Sequence, residues 1–590
     1  MNQTTRSYGL KQSTNSELSC NSLVFLETLV NPTRLVRALP QIRFQKQLSV
    51  PSKARAIMNS KPEQTTSVWM QGDRFSLLSA LTQDDEADVC VVGAGIAGMT
   101  SAYLLLKEGR TVIVVDDGPI GGGQTERTTA HITNALDDRY MEIERWHGQE
   151  GARLAAESHT AAIDRIEEII NSEKIDCDFE RLDGYLFTPI GESPNLLEQE
   201  LQAVRRAGLS QVESILSCPL QNFDTGPCLR FPRQAQFHPR KYLAGLAKAI
   251  LHMGGRIFTQ THIAKVESGT PARLRTEMGL TITAEAVIVA TNSPFNDFVT
   301  IHTKQAPYLT YVLAFGVPRG QVTKALYWDT ENPYHYVRLQ PMPNDVPASA
   351  MLGNPLTEEL LIVGGEDHKT GQADDAEARY DRLETWARAR FPVNEGRRCH
   401  WSGQVLETID GLAFIGRNPL DGPNIFIATG DSGQGMTHGT IAGILLTDLI
   451  VGRSNPWSQL YDPARKTLSA SDRFLKENLN VAAQYGSWVT GGDVESSEAI
   501  APGTGALVRQ GLTKVAAYRD EHGQLHECSA VCPHLGCIVQ WNHNESTWDC
   551  PCHGSRFDKK GHLLCGPANT NLVQSTGLPD ASVELKAVSV

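Results

Sequence analysis

Asp88-Val89-Cys90-Val91-Val92-Gly93-Ala94-Gly95-Ile96-Ala97-Gly98 passes from an apolar, β-branched run into three glycines at GxGxxG spacing, and an apolar stretch through Leu104, Leu105 and Leu106 follows. The pattern predicts a buried strand, a tight turn and a helix. The glycines let the turn close and let a pyrophosphate approach the helix N-terminus, where N–H groups and the helix dipole favour anions. A second strand, Thr111-Val112-Ile113-Val114-Val115, ends at Asp116, eighteen residues beyond Gly98 and suited to accept from ribose hydroxyls. Gly93, Gly95, Ile96, Ala97, Gly98, Asp116 and Asp117 are therefore candidate dinucleotide contacts.

Much later, Asn424-Ile425-Phe426-Ile427-Ala428-Thr429-Gly430-Asp431-Ser432-Gly433-Gln434-Gly435-Met436-Thr437 repeats the order of strand, glycine turn and helix. With Val287-Ile288-Val289-Ala290-Thr291-Asn292 and the stretch from Asp410-Gly411-Leu412 to Ile415-Gly416, it resembles the D-amino-acid and amine oxidase (glycine oxidase-like) family of FAD enzymes, over about 85–452. The resemblance implies an α/β fold with a discontinuous, Rossmann-like FAD domain (85–137, 234–302 and 400–453) and an antiparallel-sheet substrate domain (138–233 and 303–399). It places Ile263, Ala290, Gly433, Gly435, Met436 and Thr437 at the cofactor. A helix starting near Met436 would stabilise negative charge on reduced flavin. The loop Gly121-Gly122-Gly123-Gln124-Thr125-Glu126-Arg127-Thr128-Thr129-Ala130-His131 passes beside the flavin in this family, which makes Thr125, Thr128, Thr129 and His131 further candidates. Dimethylglycine-oxidising members attach FAD through a histidine in a similar Thr-x-His setting; a noncovalent His131 at a helix start is the plainer alternative.

Near the C-terminus stand two boxes, Cys532-Pro533-His534-Leu535-Gly536-Cys537 and, twelve residues on, Cys550-Pro551-Cys552-His553-Gly554-Ser555. Six of the twelve cysteines fall between Cys528 and Cys565. Each box offers a Cys, a His and a spare Cys, whereas zinc ribbons and fingers pair Cys with Cys; a structural zinc site is thus the weaker metal reading. The boxes resemble the Rieske family in order, and 499–590 resembles a complete, small all-β Rieske domain. The resemblance implies a [2Fe-2S] cluster held by Cys532, His534, Cys550 and His553, with Cys537 and Cys552 joined in a disulfide. It also implies that Ser555 hydrogen-bonds a cluster sulfide and that the Gly566-Pro567-Ala568 loop covers the cluster.

Composition agrees with an enzyme of several domains. The chain has 590 residues, 41% of them hydrophobic, and a net charge of -13 that disfavours nucleic acid as a partner. No apolar run is long enough for a membrane span, and the scattered cysteines suit a reducing, cytoplasmic location. The first 57 residues hold eight Arg or Lys against two Glu. This arm (1–70) reads as disordered or as targeting, with organelle import or a true start at Met58 as variants. Residues 454–498 read as a connector, either docked on the flavin domain or a mobile tether.

For the substrate domain, candidate strands are Tyr308–Val317, His335–Gln340 and Leu360–Gly364, with a proline-rich loop at 341–355. Alternation puts Tyr334, Tyr336 and Arg338 on one face, where Arg338 would anchor a carboxylate. Gln404 and Trp401, and more remotely Asp431 and His438, complete the pocket candidates. No catalytic base is required, because amine oxidation needs mainly a positioned neutral amine. The expected function is FAD-dependent oxidation of a small amine or amino acid, electrons passing to the cluster and on to an external protein or quinone. Two alternatives stand beside it: an NAD(P)H-dependent reductase feeding a partner oxygenase, and a non-catalytic redox sensor.

One position departs from the Rieske pattern. Phe557 stands where high-potential members have a Tyr whose hydroxyl reaches a ligand sulfur. Hydrogen bonds to sulfur stabilise the reduced cluster, so Phe557 should lower the potential within the range of about -150 to +300 mV. Phe557→Tyr is expected to raise it, as measured by EPR-monitored redox titration.

Overall fold

The Asp85–Val92 strand hydrogen-bonds in parallel to Val112–Val115 on one side and Thr281–Val289 on the other. This is the centre of an eight-stranded sheet in which Arg256–Phe258, Val112–Val115, Asp85–Val92, Thr281–Val289 and Ile425–Thr429 run parallel and Phe414–Arg417 closes one edge antiparallel. The computed structural model describes residues 65–71, 78–189, 191, 193, 195–221, 223–296, 299–342 and 352–574; the N-terminal arm through residue 64, and 343–351 of the proline-rich loop, lie outside them. The central strands are apolar without alternation because both faces are covered, one by helices and the other by the strands Ile263–Glu267 and Ala272–Thr276 with Leu81 and Ile301. Ile96–Lys107 and Gly435–Val451 pack on one face through small residues: a Cβ on Gly443 would meet Thr100 Cγ2 at 2.5 Å, so glycine allows the close approach.

A nine-stranded, mostly antiparallel sheet carries the second layer. Its long strands Gln305–Pro318, Glu358–Lys369 and His335–Pro341 extend the three stretches expected from sequence. Cys399–Thr408 pairs along Gln305–Pro318, so the boundary expected at 399/400 falls inside a strand, and the return to the FAD sheet comes after Thr408. His131–Ile132 pairs with Cys228–Gln236, so His131 opens a short strand of this sheet rather than a helix.

Beyond Val451, Arg465 grips Asp410 with two hydrogen bonds of 2.7 and 2.8 Å. The helix Ser471–Gln484 then runs along the substrate-domain residues: Asn478 donates to the Thr303 carbonyl, Lys369 pairs with Glu477, and Arg473 with Asp138. The C-terminal strands form a three-stranded and a four-stranded antiparallel sheet. Among the described residues no helix is long and apolar enough to cross a membrane.

The hairpin joining Gln540–Asn542 to Thr547–Asp549 inserts Glu545, fully buried, against the flavin domain. Its carboxylate accepts from Thr65 Oγ1 at 2.5 Å and Ser402 Oγ at 2.6 Å and lies 3.7 Å from Arg127 Nη1. Burial alone would raise its pKa; Arg127 and Arg556 outweigh burial and hold the carboxyl below its ordinary range. Removing one partner of such a pair leaves a buried charge uncompensated. Glu545→Ala is expected to cost about 3 kcal/mol, read as a lowered unfolding transition in calorimetry, with Glu545→Gln milder because it keeps the hydrogen bonds.

Candidate cofactor sites and the seam between them

The turn after Asp85–Val92 is built as the glycines require. Gly93 has φ +109°, and a Cβ there would stand 2.4 Å from the Ala290 carbonyl oxygen. The helix begins at Gly95 with no side-chain cap, which leaves its first N–H groups to an anion. Thr125 stands over this turn, its Oγ1 3.2 Å from where a Gly95 Cβ would be. Asp116 lies at the end of its strand, accepting from the N–H of Ala94 at 2.6 Å and of Gly118 at 2.8 Å. Asp117 faces His262, one residue before Ile263. The Gly435–Val451 helix is likewise uncapped by a side chain; Gly433, at φ +76°, precedes it, and Met436 and Thr437 are buried in its first turn. Asn292 Nδ2 and Gln305 Nε2, buried beyond Ala290, have no hydrogen-bond partner. A glycine cradle, two uncapped helix starts and unspent donors fit FAD.

Other candidates are occupied locally. Thr128 Oγ1 accepts from Ala130 N, and Thr129 Oγ1 is 3.0 Å from His131 Nδ1. His131 Nε2 is 3.3 Å from the Val337 carbonyl, and burial with Arg338 nearby pushes its pKa down to about 3, so the ring is neutral. Arg338 is turned mainly to the protein: Nη1 donates to the carbonyls of Thr129, Ala130 and Phe237 and Nη2 to Gln340, while its buried Nε has no hydrogen-bond partner, and the residue is 1% exposed. Gln404 does not line a pocket either. It donates through Nε2 to the Gly554 carbonyl at 2.9 Å and accepts from Cys565 Sγ. Trp401 is fully buried and donates to the Arg127 carbonyl. His438 pairs with His159 across 3.2 Å beneath the helix start.

Tyr336 meets Thr310 and Tyr334, and acids that sequence did not single out lie close by. Its hydroxyl is 2.6 Å from Thr310 Oγ1, and its ring is 5.6 Å from that of Tyr334. Tyr334 donates to Asp137 Oδ2, and Gln434 to Asp137 Oδ1. Thr310 hydrogen-bonds the Asp367 carboxylate, whose buried Oδ1 has no close partner of its own. Burial raises the pKa of Asp137 and Asp431 to about 6 and of Asp367 to about 7. These acids come from three separate stretches, so no local spacing betrays them.

The two cysteine boxes fold as matched turns. Cys532 N donates to Cys537 O and Gly536 N to Cys532 O; Cys550 N donates to Ser555 O and Gly554 N to Cys550 O. The glycines, at φ +78° and +81°, close each turn in a conformation other residues resist. Cys537 and Cys552 are joined by a disulfide. The sulfurs of Cys537, Cys550 and Cys552 lie within 4.8 Å of one another; two of the three are spent on each other, so this trio is the disulfide packed on Cys550 and not a ligand set. Buried Cys532 and Cys550 remain, with the His534 and His553 rings 5.0 Å apart. Burial, reinforced by His302, pushes the His553 pKa down to about 3, and its buried Nδ1 has no hydrogen-bond partner. Two thiols, two imidazoles and an unspent nitrogen fit a [2Fe-2S] cluster. Ser555 Oγ accepts from Ala568 N, tying in the Gly566–Ala568 loop. Phe557, two residues on, is fully buried.

The FAD dependent oxidoreductase family model matches residues 88–449, and the Rieske [2Fe-2S] domain model matches 492–577. YhfW of Bacillus subtilis (strain 168), which bears the name of a Rieske 2Fe-2S iron-sulfur protein, is 32% identical over 511 residues, 86% of this chain and 96% of its own. The gamma-glutamylputrescine oxidoreductase of Escherichia coli (strain K12) is 27% identical over 409 residues, 66% of this chain and 90% of its own. Among solved structures, glycine oxidase from Geobacillus kaustophilus shares the fold with a TM-score of 0.52 at 18% identity, covering 65% of this chain and 99% of its own. The chain belongs to the FAD dependent oxidoreductase family and carries a C-terminal Rieske domain, so that its cofactors are FAD and a [2Fe-2S] cluster.

Proposed function

We propose that this oxidoreductase oxidises a small cationic amine in the pocket of Tyr334, Tyr336, Asp137 and Asp367, and that the electrons pass through the Rieske cluster to an external acceptor. The observation that carries the substrate reading is the unpartnered, buried Asp367 Oδ1 beside Asp137 and two tyrosine rings. Carboxylates and aromatic faces attract an ammonium group, while Nη1 of Arg338, the residue expected to bind a carboxylate, donates to backbone carbonyls. An amine without an α-carboxylate is therefore favoured over an amino acid. The name of the gamma-glutamylputrescine oxidoreductase points to an amine substrate for that relative.

Bound FAD supplies hydride acceptance from the carbon next to nitrogen, and a [2Fe-2S] cluster supplies one-electron carriage. The chain's own residues orient the amine and take its proton. Hydride loss requires a neutral amine, and Asp367, poised at about 7, accepts the ammonium proton at Oδ1. The reductase alternative is not favoured, because Thr504–Gln510 after Gly503 is a strand of an antiparallel sheet and starts no second dinucleotide-binding helix.

Anaerobic titration separates the readings. A panel of amines is expected to bleach the flavin while the reduced-cluster EPR signal grows, and amino acids to act more weakly. Bleaching by NAD(P)H alone would sink the proposal in favour of the reductase, and no bleaching by any of these would leave the sensor. The rate of flavin reduction by an active amine is expected to rise between about pH 6 and 7, as Asp137 and Asp367 ionise. In Asp367→Asn that rise should flatten and the rate should fall by about 100-fold, the lower end of the range for a lost proton acceptor.

A further inference from the structure

We propose that His302 is a positioning residue for the cluster: it packs against both ligand imidazoles and makes the histidine edge of the cluster the side on which electrons arrive from the flavin. This rests on the flavin-to-cluster reading above. His302 belongs to the flavin-side chain, 2% exposed, and follows the segment that leaves the Thr281–Val289 strand at Ala290. Its ring centroid lies 4.8 Å from that of His534 at an interplanar angle of 78° and 5.9 Å from that of His553 at 63°. With the 5.0 Å between the two ligand rings, three imidazoles make one closed triangle. His302 is held in turn: its Nε2 lies 3.1 Å from the Pro294 carbonyl, which can only accept, so this nitrogen carries the proton.

The same stretch of chain touches the flavin cradle at one end and the Rieske loops along its length. Its start, Ala290, faces Gly93 of the pyrophosphate turn. The Asn292 carbonyl accepts from Thr429, one residue before the flavin-side glycine turn. Ser293 O lies 3.4 Å from where a Gly566 Cβ would be, and Pro307 Cβ 2.5 Å from where a Gly554 Cβ would be. The described residues 290–296 and 299–307 thus pack between the cofactor sites, and His302 is the point at which they meet both ligand rings. His534 and His553, at 8% and 7% exposure, are covered on this side. The two electrons that substrate oxidation leaves on the flavin cross here one at a time, each reducing the cluster by one electron. A one-electron acceptor of the protein or quinone class takes each in turn, and the flavin's proton goes to solvent.

The test uses the full-length holoprotein and needs no substrate: the bound flavin is photoreduced anaerobically with EDTA, and cluster reduction is followed by absorbance and EPR. In wild type the cluster is expected to be reduced after the flavin. His302→Ala, at unchanged FAD and iron content, is expected to slow that step by about tenfold or more, as loss of a residue supporting metal ligands does, and to shift the g-values of the dithionite-reduced cluster. His302→Phe, which restores a ring, should return both toward wild type. If His302→Ala loses iron, His302→Leu, which fills the volume without a ring, carries the same expectation. Wild-type rate and g-values in these ringless variants would overturn the role of His302. A wild-type cluster that stays oxidised beside bleached flavin would instead overturn the flavin-to-cluster reading; the g-values of the dithionite-reduced variants then decide the positioning role alone.

Discussion

Glu545 is a charge with nowhere to go unless the Rieske domain sits in one place. A carboxylate taken fully out of water costs several kcal/mol unless matched by charge and hydrogen bonds, and here the matching groups are split between domains: Arg127, Ser402 and Thr65 on the flavin side, and Arg556 from the Rieske sheet. Sliding the Rieske domain by one residue would strand Glu545 and Arg127 together. The contact sets register more than it adds stability. Gln404 to Gly554 and Asn569 to the Ile263 carbonyl are neutral contacts across the same seam.

The parts of this molecule that were readable in sequence are those whose chemistry is local. Gly93, Gly95 and Gly98 announce a turn because the backbone there needs room within a few residues. The cysteine boxes are legible for the same reason: each ligand pair and the glycine that closes its turn lie within six residues. The seam and the pocket were not legible. Asp137, Asp367, His302 and Glu545 meet their partners across intervals of chain that no periodicity measures, and each is an ordinary polar residue where it stands. Arg338 shows the limit of a pattern argument. Alternation put it on the face shared with Tyr336, but whether its five donors point to a ligand or to three carbonyls depends on where Thr129, Ala130 and Phe237 come to lie.

The pocket carries a tension that the seam does not. Asp137, Asp367 and Asp431 all have raised pKa values because burial has removed water that would favour their ionised forms. For stability, this is a cost, since apolar residues of the same volume would pack without it. For a cationic ligand it is a source of affinity, because the ammonium group brings the missing countercharge, and carboxylates already stripped of water interact with it strongly.

Connector residues decide between the two readings that composition alone leaves open. A mobile tether needs side chains free of both bodies, and this one has them bonded to each. Asn478 and Glu477 bind Thr303 and Lys369 on the flavin side. Tyr485 and Trp488 donate to the carbonyls of Leu535 and Gly536, inside the first cluster loop. The Thr303 end of this brace is the residue after His302. The helix Ser471–Gln484 and the 3-10 turn Tyr485–Trp488 that follows it therefore support both the ligand loop and the segment that presses His302 onto the ligand rings. A displacement of either would have to break the brace, and so the cluster loop and the flavin-side segment are held as one body.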